Sequence, residues 1–220
     1  MRYHKADPFY PSEETIRIAA EVIVSGGVVC YPTETLYGLG GDALSLEVIH
    51  RINRAKERPE NTPCIMLIDK NEADKWIANV SRIEPIIYRY WPGPLTLIVE
   101  PANRKHPPMN IAPDGSIGLR AASLPLDIAI VRRAGRPFIS TSANRNTEPP
   151  RTTIEGIESW LETFCDLVLD GGEIDSADPS TLIDVRHFPE KITIIREGAI
   201  AISALQMDFP ETEFDFAFEL

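Results

Sequence analysis

An α/β fold is predicted for this chain of 220 residues by three observations. Helix-like and strand-like segments alternate along it, glycines and prolines punctuate the changes, and the composition is ordinary for a globular protein, with 43% hydrophobic and 25% charged residues. The length supports a core large enough to carry a cleft. With no internal repeat and no linker before the tail, the expectation is one domain, residues 1–207, followed by an acidic tail, residues 208–220.

The elements follow in order. Ser12 is placed to N-cap a helix through Ile16, Ala19, Ala20 and Ile23, with Glu13 and Glu14 in its first turn and Gly26-Gly27 ending it. Val28–Tyr31 reads as a buried strand stopped by Pro32. The segment Pro32–Asp42 (PTETLYGLGGD) reads as a glycine-rich loop at that strand's end, where open α/β sheets bind ligands. Ser45 caps a second helix that ends near Lys56. Residues 63–68 form a strand, and 71–80 and 83–91 carry helical spacing. Trp91-Pro92-Gly93-Pro94 breaks the latter and opens a strand at 95–100.

A proline-rich loop covers 101–114, and 116–120 alternates as a strand with Arg120 at its end. A helix spans 125–133, with Pro125 tolerated in the first turn. The strand 138–141 runs into Ser142-Ala143-Asn144. A helix is expected over 153–164, followed by strands at 166–169, 180–185 and 192–196. The tail alternates acids with phenylalanines, and from Asp208 to Leu220 it holds five acidic residues and no Lys or Arg.

The net charge of −11 counts against nucleic-acid binding as the main function, though a local basic cleft is compatible with it. No apolar run approaches the roughly 20 residues of a membrane span, and the first residues lack the apolar core of a signal peptide. Cys30 and Cys64 fall in apolar runs and are read as buried free thiols in a reducing cytoplasm. Zinc spacing is absent from the cysteines and histidines. None of His4, His50, His106 or His187 has a triad context, and there is no nucleophile elbow, which excludes a serine hydrolase of that type. Neither a phosphate loop of the Walker type nor a dinucleotide fingerprint is present.

The polar residues expected at strand ends and adjoining loops are Thr33, Thr35, Lys56, Arg58, Ser116, Arg120, Ser140, Ser142, Asn144, Ser180 and Arg196. This set is rich in hydroxyls and cations and poor in acids. It suits an anionic substrate and stabilisation of charge on a transferring phosphoryl group, chemistry that rests on positioning. Within it, Lys56-Glu57-Arg58-Pro59 throws two cations from a helix end into a turn.

Eight motifs in one order make the sequence resemble the YrdC family of threonylcarbamoyl-AMP synthases: YPTETLYGLGGDAL (31–44), KERP (56–59), WPGPLTLI (91–98), IGLR (117–120), STSAN (140–144), DGG (170–172), PSTLIDV (179–185) and REGAI (196–200). The resemblance implies a twisted mixed β-sheet flanked by helices around a deep cationic cleft, in a cytoplasmic enzyme. It implies that L-threonine, bicarbonate or carbon dioxide, and ATP give threonylcarbamoyl-adenylate and pyrophosphate, feeding the threonylcarbamoyl modification of adenosine 37 in tRNA. The family's catalytic pairs fall on Lys56, Arg58, Ser142 and Asn144. By the same resemblance ATP is held by Arg58, Thr62, Ser116, Ser142 and Arg196, and threonine by Thr35, Arg120, Ser140 and Ser180. Magnesium accompanies the nucleotide, with no protein metal site, and proteins of the tRNA-modification pathway are the expected partners.

Two positions depart from the family pattern. Many members carry a histidine near threonine where this chain has Leu67, and a serine contacting ATP where it has Pro150. Longer members continue into a second domain for which this chain is too short. The competing functions are an RNA-binding module, with direct RNA contact left open, and a related enzyme making another carbamoyl- or acyl-adenylate.

Overall fold

The computed structural model describes residues 2–103, 110–145, 148–149, 151–155, 158–175 and 178–217. In chain order its elements are β1 (Arg2–Lys5), α1 (Glu13–Val24), β2 (Val29–Pro32), β3 (Tyr37–Gly40), α2 (Leu46–Ala55), β4 (Met66–Ile68), α3 (Ala73–Trp76), α4 (Glu84–Tyr90), β5 (Leu95–Val99) and β6 (Ile117–Ala121). There follow α5 (Pro125–Ala134), β7 (Phe138–Ile139), β8 (Thr141–Ser142), α6 (Glu158–Phe164), β9 (Leu167–Asp170), β10 (Thr181–Asp184), β11 (Lys191–Arg196), α7 (Ile202–Asp208) and β12 (Glu213–Phe216).

The expected α/β class is observed, but the strands divide between two mixed sheets instead of forming one. The smaller has the order β1-β9-β2-β3-β8 and the larger β12-β11-β10-β5-β6-β4-β7. Side chains alternate between the faces of a strand, and this alternation feeds two separate cores. Val29 and Tyr31 of β2, Leu67 of β4, and Leu167 and Leu169 of β9 face a layer made with α1 and α5. Their neighbours Cys30, Met66, Ile68 and Val168 face the other core, with α2, α4 and α7. Both faces of the central strands are therefore covered, which explains their continuous apolar runs.

Local signals set several boundaries. The Ser12 hydroxyl accepts the Thr15 N–H at 3.1 Å and starts α1, and Gly26 adopts φ 81° just beyond its end. Ser45 caps α2 in the same way through Val48 N–H.

Other expectations needed tertiary context. The glycine-rich loop expected over 32–42 contains a strand, β3, antiparallel to both β2 and β8. Gly40 is required there by packing and not by a positive φ. A Cβ on it would lie 2.8 Å from both the Tyr31 ring and the Ile139 carbonyl. The helix expected over 71–80 shrinks to α3, because Ile77 bridges to Pro101 and Asn79 turns left-handed at φ 52°. The helix expected over 153–164 shortens to α6. The backbone at 151–152 is committed elsewhere: the Arg151 carbonyl accepts from Tyr37 N–H and the Thr152 carbonyl from Ile174 N–H, both at 2.9 Å.

Past β11 the chain forms α7, whose Leu205 is fully buried, and then β12, which runs parallel to β11 from Lys191↔Glu213 to Ile194↔Phe216. Asp208, the last residue of α7, accepts two hydrogen bonds from Arg89 at 2.8 Å and one from the Tyr90 hydroxyl. Pro150 and His106 lie outside the described residues.

Leu205→Ala should lower the free energy of unfolding by about 3 kcal/mol, the scale of an emptied core position. Met207→Ala on the exposed face of the same helix should stay within about 0.5 kcal/mol. Urea denaturation of both variants measures whether α7 belongs to the cooperative unit.

Candidate functional site

The site forms where one short segment passes between the sheets. Phe138 and Ile139 pair with β4 in the larger sheet, and Thr141 and Ser142 pair with β3 in the smaller one. Ser140 stands at the crossing, its N–H donating to the Ile65 carbonyl at 2.8 Å. The expected strand 138–141 is thus split by a change of sheet.

A row of paired residues runs across the larger sheet from that crossing: Phe138↔Leu67, Leu67↔Arg120, Arg120↔Thr96, Thr96↔Leu182 and Leu182↔Arg196. Directly paired residues point to the same face, so the row brings Arg120 and Arg196 to one side although they are far apart in sequence. A cavity of about 90 Å³ lies there, lined by Thr35, Arg120, Ser140, Ser142, Ser180 and Arg196 among others. A larger cavity of about 710 Å³ shares Thr33 with it and is lined further by Glu34 and by residues 5–9 and 170–175.

The side chains of the small cavity are held before any ligand arrives. Thr33 closes its own turn, accepting the N–H groups of Thr35 and Leu36 at 3.2 and 3.1 Å. Arg120, only 5% exposed, is ion-paired with Glu34. The Ser180 hydroxyl shares a 2.8 Å hydrogen bond with that of Thr96, and its carbonyl accepts from Arg196 Nη2 at 2.8 Å. Desolvation, together with the Arg120 charge, pulls the Arg196 pKa below its ordinary value. Two guanidiniums that repel each other beside a ring of hydroxyls define a place for an anion.

Lys56 joins the loop after α2 to this crossing. Its ammonium, on a residue only 3% exposed, donates to the Ser142 carbonyl at 2.6 Å, the Asn144 carbonyl at 2.7 Å and Asn144 Oδ1 at 3.2 Å. Burial and the neighbouring Arg58 lower its pKa from 10.5 to about 8. Asn144 is fixed in turn by donating to the carbonyls of Arg145 and Glu148 at 2.9 and 2.6 Å. Arg58 turns to other partners, with Nε 2.6 Å from Asn53 Oδ1 and Nη2 2.9 Å from Cys64 Sγ.

The residues singled out in the sequence do not all converge. Thr35, Arg120, Ser140, Ser142, Ser180 and Arg196 share the cavity, and Lys56 and Asn144 adjoin it through Ser142. Thr62 faces a different pocket with Asn110 and Ile111, and its hydroxyl donates to the Pro59 carbonyl at 2.7 Å. The Ser116 hydroxyl donates to Asp114 Oδ1 at 2.7 Å. Leu67 fills the apolar core beside Tyr31 and Phe138.

Sequence reasoning missed Glu34, Thr96, Asn53 and Asp127. The first two lie inside recognised motifs, and what hid them is that they act on neighbours, Glu34 on Arg120 and Thr96 on Ser180. Asp127 is fully buried, its carboxylate oxygens have no hydrogen-bond partner among the described residues, and its pKa is pushed well above the usual range by burial and by Glu34, against an opposing pull from Arg120. Burial therefore favours its neutral form. Among the described residues, no group of three or more His, Cys, Asp or Glu side chains is arranged to hold a metal ion.

With this geometry in place, the chain was compared with known proteins. The Sua5/YciO/YrdC family model, described as "Telomere recombination", matches residues 21–198. A protein named threonylcarbamoyl-AMP synthase from Pyrococcus abyssi is 31% identical over 196 residues, covering 88% of this chain and 57% of that protein. One of the same name from Marinobacter nauticus is 28% identical over 182 residues, covering 82% of this chain and 96% of the relative. The crystal structure of P. abyssi Sua5 complexed with L-threonine superposes with a TM-score of 0.87 at 27% identity, covering 97% of this chain and 62% of that one. This chain therefore spans little more than half of the P. abyssi protein and nearly the whole length of the Marinobacter one.

Two titrations probe the electrostatics. Lysine-selective NMR should reveal one side chain moving near pH 8, and that signal should vanish in Lys56→Met. Its absence would mean that the carbonyl cage holds the ammonium charged. For Asp127 the folded pKa lies above the unfolded value of about 3.9, so its contribution to stability is complete below that value and is lost as pH rises toward the folded pKa. Asp127→Asn should therefore be more stable than the parent protein at pH 7, with the difference shrinking toward pH 3. An unchanged or lower melting temperature at pH 7 would show that the carboxyl is not carrying that cost.

Proposed function

The chain belongs to the Sua5/YciO/YrdC family, and from that premise we propose that it is a threonylcarbamoyl-AMP synthase. It joins L-threonine, carbon dioxide derived from bicarbonate, and ATP into threonylcarbamoyl-adenylate and pyrophosphate, the first stage of the threonylcarbamoyl modification of adenosine 37 in tRNA. The observation that carries this reading is the cavity in which Arg120 and Arg196 face the hydroxyls of Thr35, Ser140, Ser142 and Ser180, tied through Ser142 to Lys56. The names of the relatives support it, as does the bound threonine in the P. abyssi Sua5 structure.

The chemistry divides between two halves of the site. Threonine's carboxylate takes Arg120, which Glu34 already orients, and its hydroxyl takes Thr35, Ser140 or Ser180. Its neutral amine attacks the carbon of carbon dioxide, forming an N–C bond and releasing a proton to give the carbamate. A carbamate oxygen then attacks the α-phosphorus of ATP, and the bond to the bridging oxygen of pyrophosphate breaks. Arg58, Arg196 and Ser142 meet the phosphates, with Thr62 and Ser116 toward the outer part of the nucleotide. Lys56 and Asn144 hold Ser142 in place.

Cationic donors fixed beforehand act on the developing charge without reorganising, and two reactants held in one cleft gain rate through orientation. Magnesium would accompany the nucleotide as a counter-charge; the hydroxyl and cation lining of the small cavity suits phosphates, and among the described residues no group of three or more carboxylates, histidines or cysteines is arranged to hold a metal ion. Residues 1–207 form the catalytic part, and the strand after α7 serves as an edge of its larger sheet. The three free, buried cysteines suit a reducing cytoplasm.

The direct test supplies ATP, magnesium, bicarbonate and each amino acid in turn. Threonine-dependent pyrophosphate release and a threonylcarbamoyl-AMP product are expected; a product that does not depend on threonine would indicate another carbamoyl- or acyl-adenylate enzyme. Arg58→Ala removes a charge-assisted contact worth about 2 kcal/mol, so the ATP requirement should rise about thirtyfold with the fold intact by circular dichroism.

A further inference from the structure

Asn53, in the last turn of α2, has no part in the reaction just described, yet it is fully buried and all its side-chain polar atoms are engaged. Its Nδ2 donates to two carbonyls of the following loop, Glu60 at 2.6 Å and Thr62 at 2.9 Å. Its Oδ1 accepts from Arg58 Nε at 2.6 Å, and its backbone carbonyl accepts the Arg58 N–H at 3.1 Å. One amide therefore ties the loop at 60 and 62 and also grips the guanidinium that the loop presents.

The other end of the grip is Cys64 Sγ, 2.9 Å from Arg58 Nη2. Cys64 is itself pinned by Asn110, which accepts its N–H at 2.8 Å and donates to its carbonyl at 2.5 Å. Two fixed points on one planar group set the orientation of the guanidinium plane, which a single contact would leave free to rotate. The loop between these anchors contains a left-handed residue, Glu57 at φ 55°, a conformation disfavoured for a residue with a Cβ. Lys56 and Arg58 flank it and leave toward different partners, so a latch beyond the turn is what keeps them in register.

We propose that Asn53 is a positioning residue for nucleotide binding: it aims Arg58 and fixes the 58–62 loop, so that the phosphate-binding cation is preset before ATP arrives. This rests on the reading of Arg58 as a phosphate ligand. An apolar residue of similar volume fills the same space but offers Arg58 no acceptor and leaves two loop carbonyls without their donor, which locates the effect in the nucleotide half of the site.

Calorimetric binding of Mg-ATP and, separately, of threonine tests the proposal on Asn53→Ala and Asn53→Asp, with thermal unfolding recorded for each. Asn53→Asp keeps the volume that Ala empties, loses the donors to the loop and sets a negative charge beside Arg58. Both variants should weaken ATP binding by about tenfold or more while threonine binding stays within about twofold. In an Arg58→Ala background, Asn53→Ala should weaken ATP by less than about twofold further, because the interaction it serves is already gone.

Unchanged ATP binding in the folded variants overturns the proposal. So does an equal loss of threonine affinity, which marks a purely structural role, or full additivity with Arg58→Ala. If Arg58→Ala itself leaves ATP binding intact, the assignment of Arg58 falls and the proposal with it, a result distinct from an Asn53 variant that stays silent while Arg58→Ala is impaired.

Discussion

Five consecutive residues, 138–142, belong to two sheets, and the rest of the site depends on how that crossing is held. The segment cannot pair with β4 and β3 in one plane, so it bends at Ser140, whose N–H is satisfied by the Ile65 carbonyl. Beyond the bend the Asn144 carbonyl is buried, while the Ser142 carbonyl is half-buried and also accepts the Asn144 N–H at 3.0 Å. The Lys56 ammonium donates to both, at 2.6 and 2.7 Å. An unmet buried carbonyl costs about 1–3 kcal/mol, so one cation stabilises a junction between segments 86 and 88 residues apart. The same contact brings the cation-bearing loop against the hydroxyl-bearing strand.

The charge distribution follows from that geometry. In a chain with a net charge of −11, three cations near the crossing are each partnered. Lys56 is caged by oxygens, Arg120 is paired with Glu34, and Arg58 is shared between Asn53 and Cys64. Burial and the Glu34 charge raise the Asp127 pKa and disfavour its ionised form, against the pull of Arg120.

Local elements were legible in the sequence wherever the determining interaction is also local. Ser12 and Ser45 mark the starts of α1 and α2 because a capping hydroxyl acts within three residues. The glycine-rich 38–41 stretch misled for the opposite reason: Gly40 answers to the Tyr31 ring and the Ile139 carbonyl, and in isolation its lack of a side chain reads as a loop. β1 was not legible either, since its parallel partner is β9, with Tyr3 opposite Val168. Within the site, the motifs named the cations and hydroxyls, and spacing alone could not separate groups that face the cavity from those that brace it. Thr96 and Asn53 look like any polar residue in a strand or helix until Ser180 and Arg58 are seen against them.

Bracing residues of this kind account for the specificity of a cavity this small. Ser180 is held by Thr96, Thr35 by the turn that Thr33 closes, Arg120 by Glu34, and Asn144 by two carbonyls of its own loop. Much of the conformational entropy that a ligand would otherwise have to remove is already lost on folding, which leaves more of the interaction free energy for the bound state. Leu67 marks the limit of the polar lining. It stands between Phe138 and Arg120 in the cross-sheet row, on the same face as both, and packs with Phe138 in the apolar core, so on that side the polar lining ends at the guanidinium. Replacing it with a polar residue would place an unmet group among Tyr31, Leu126 and Phe138 and loosen the strand that aims Arg120. An apolar residue behind a buried cation therefore acts on the site through rigidity alone.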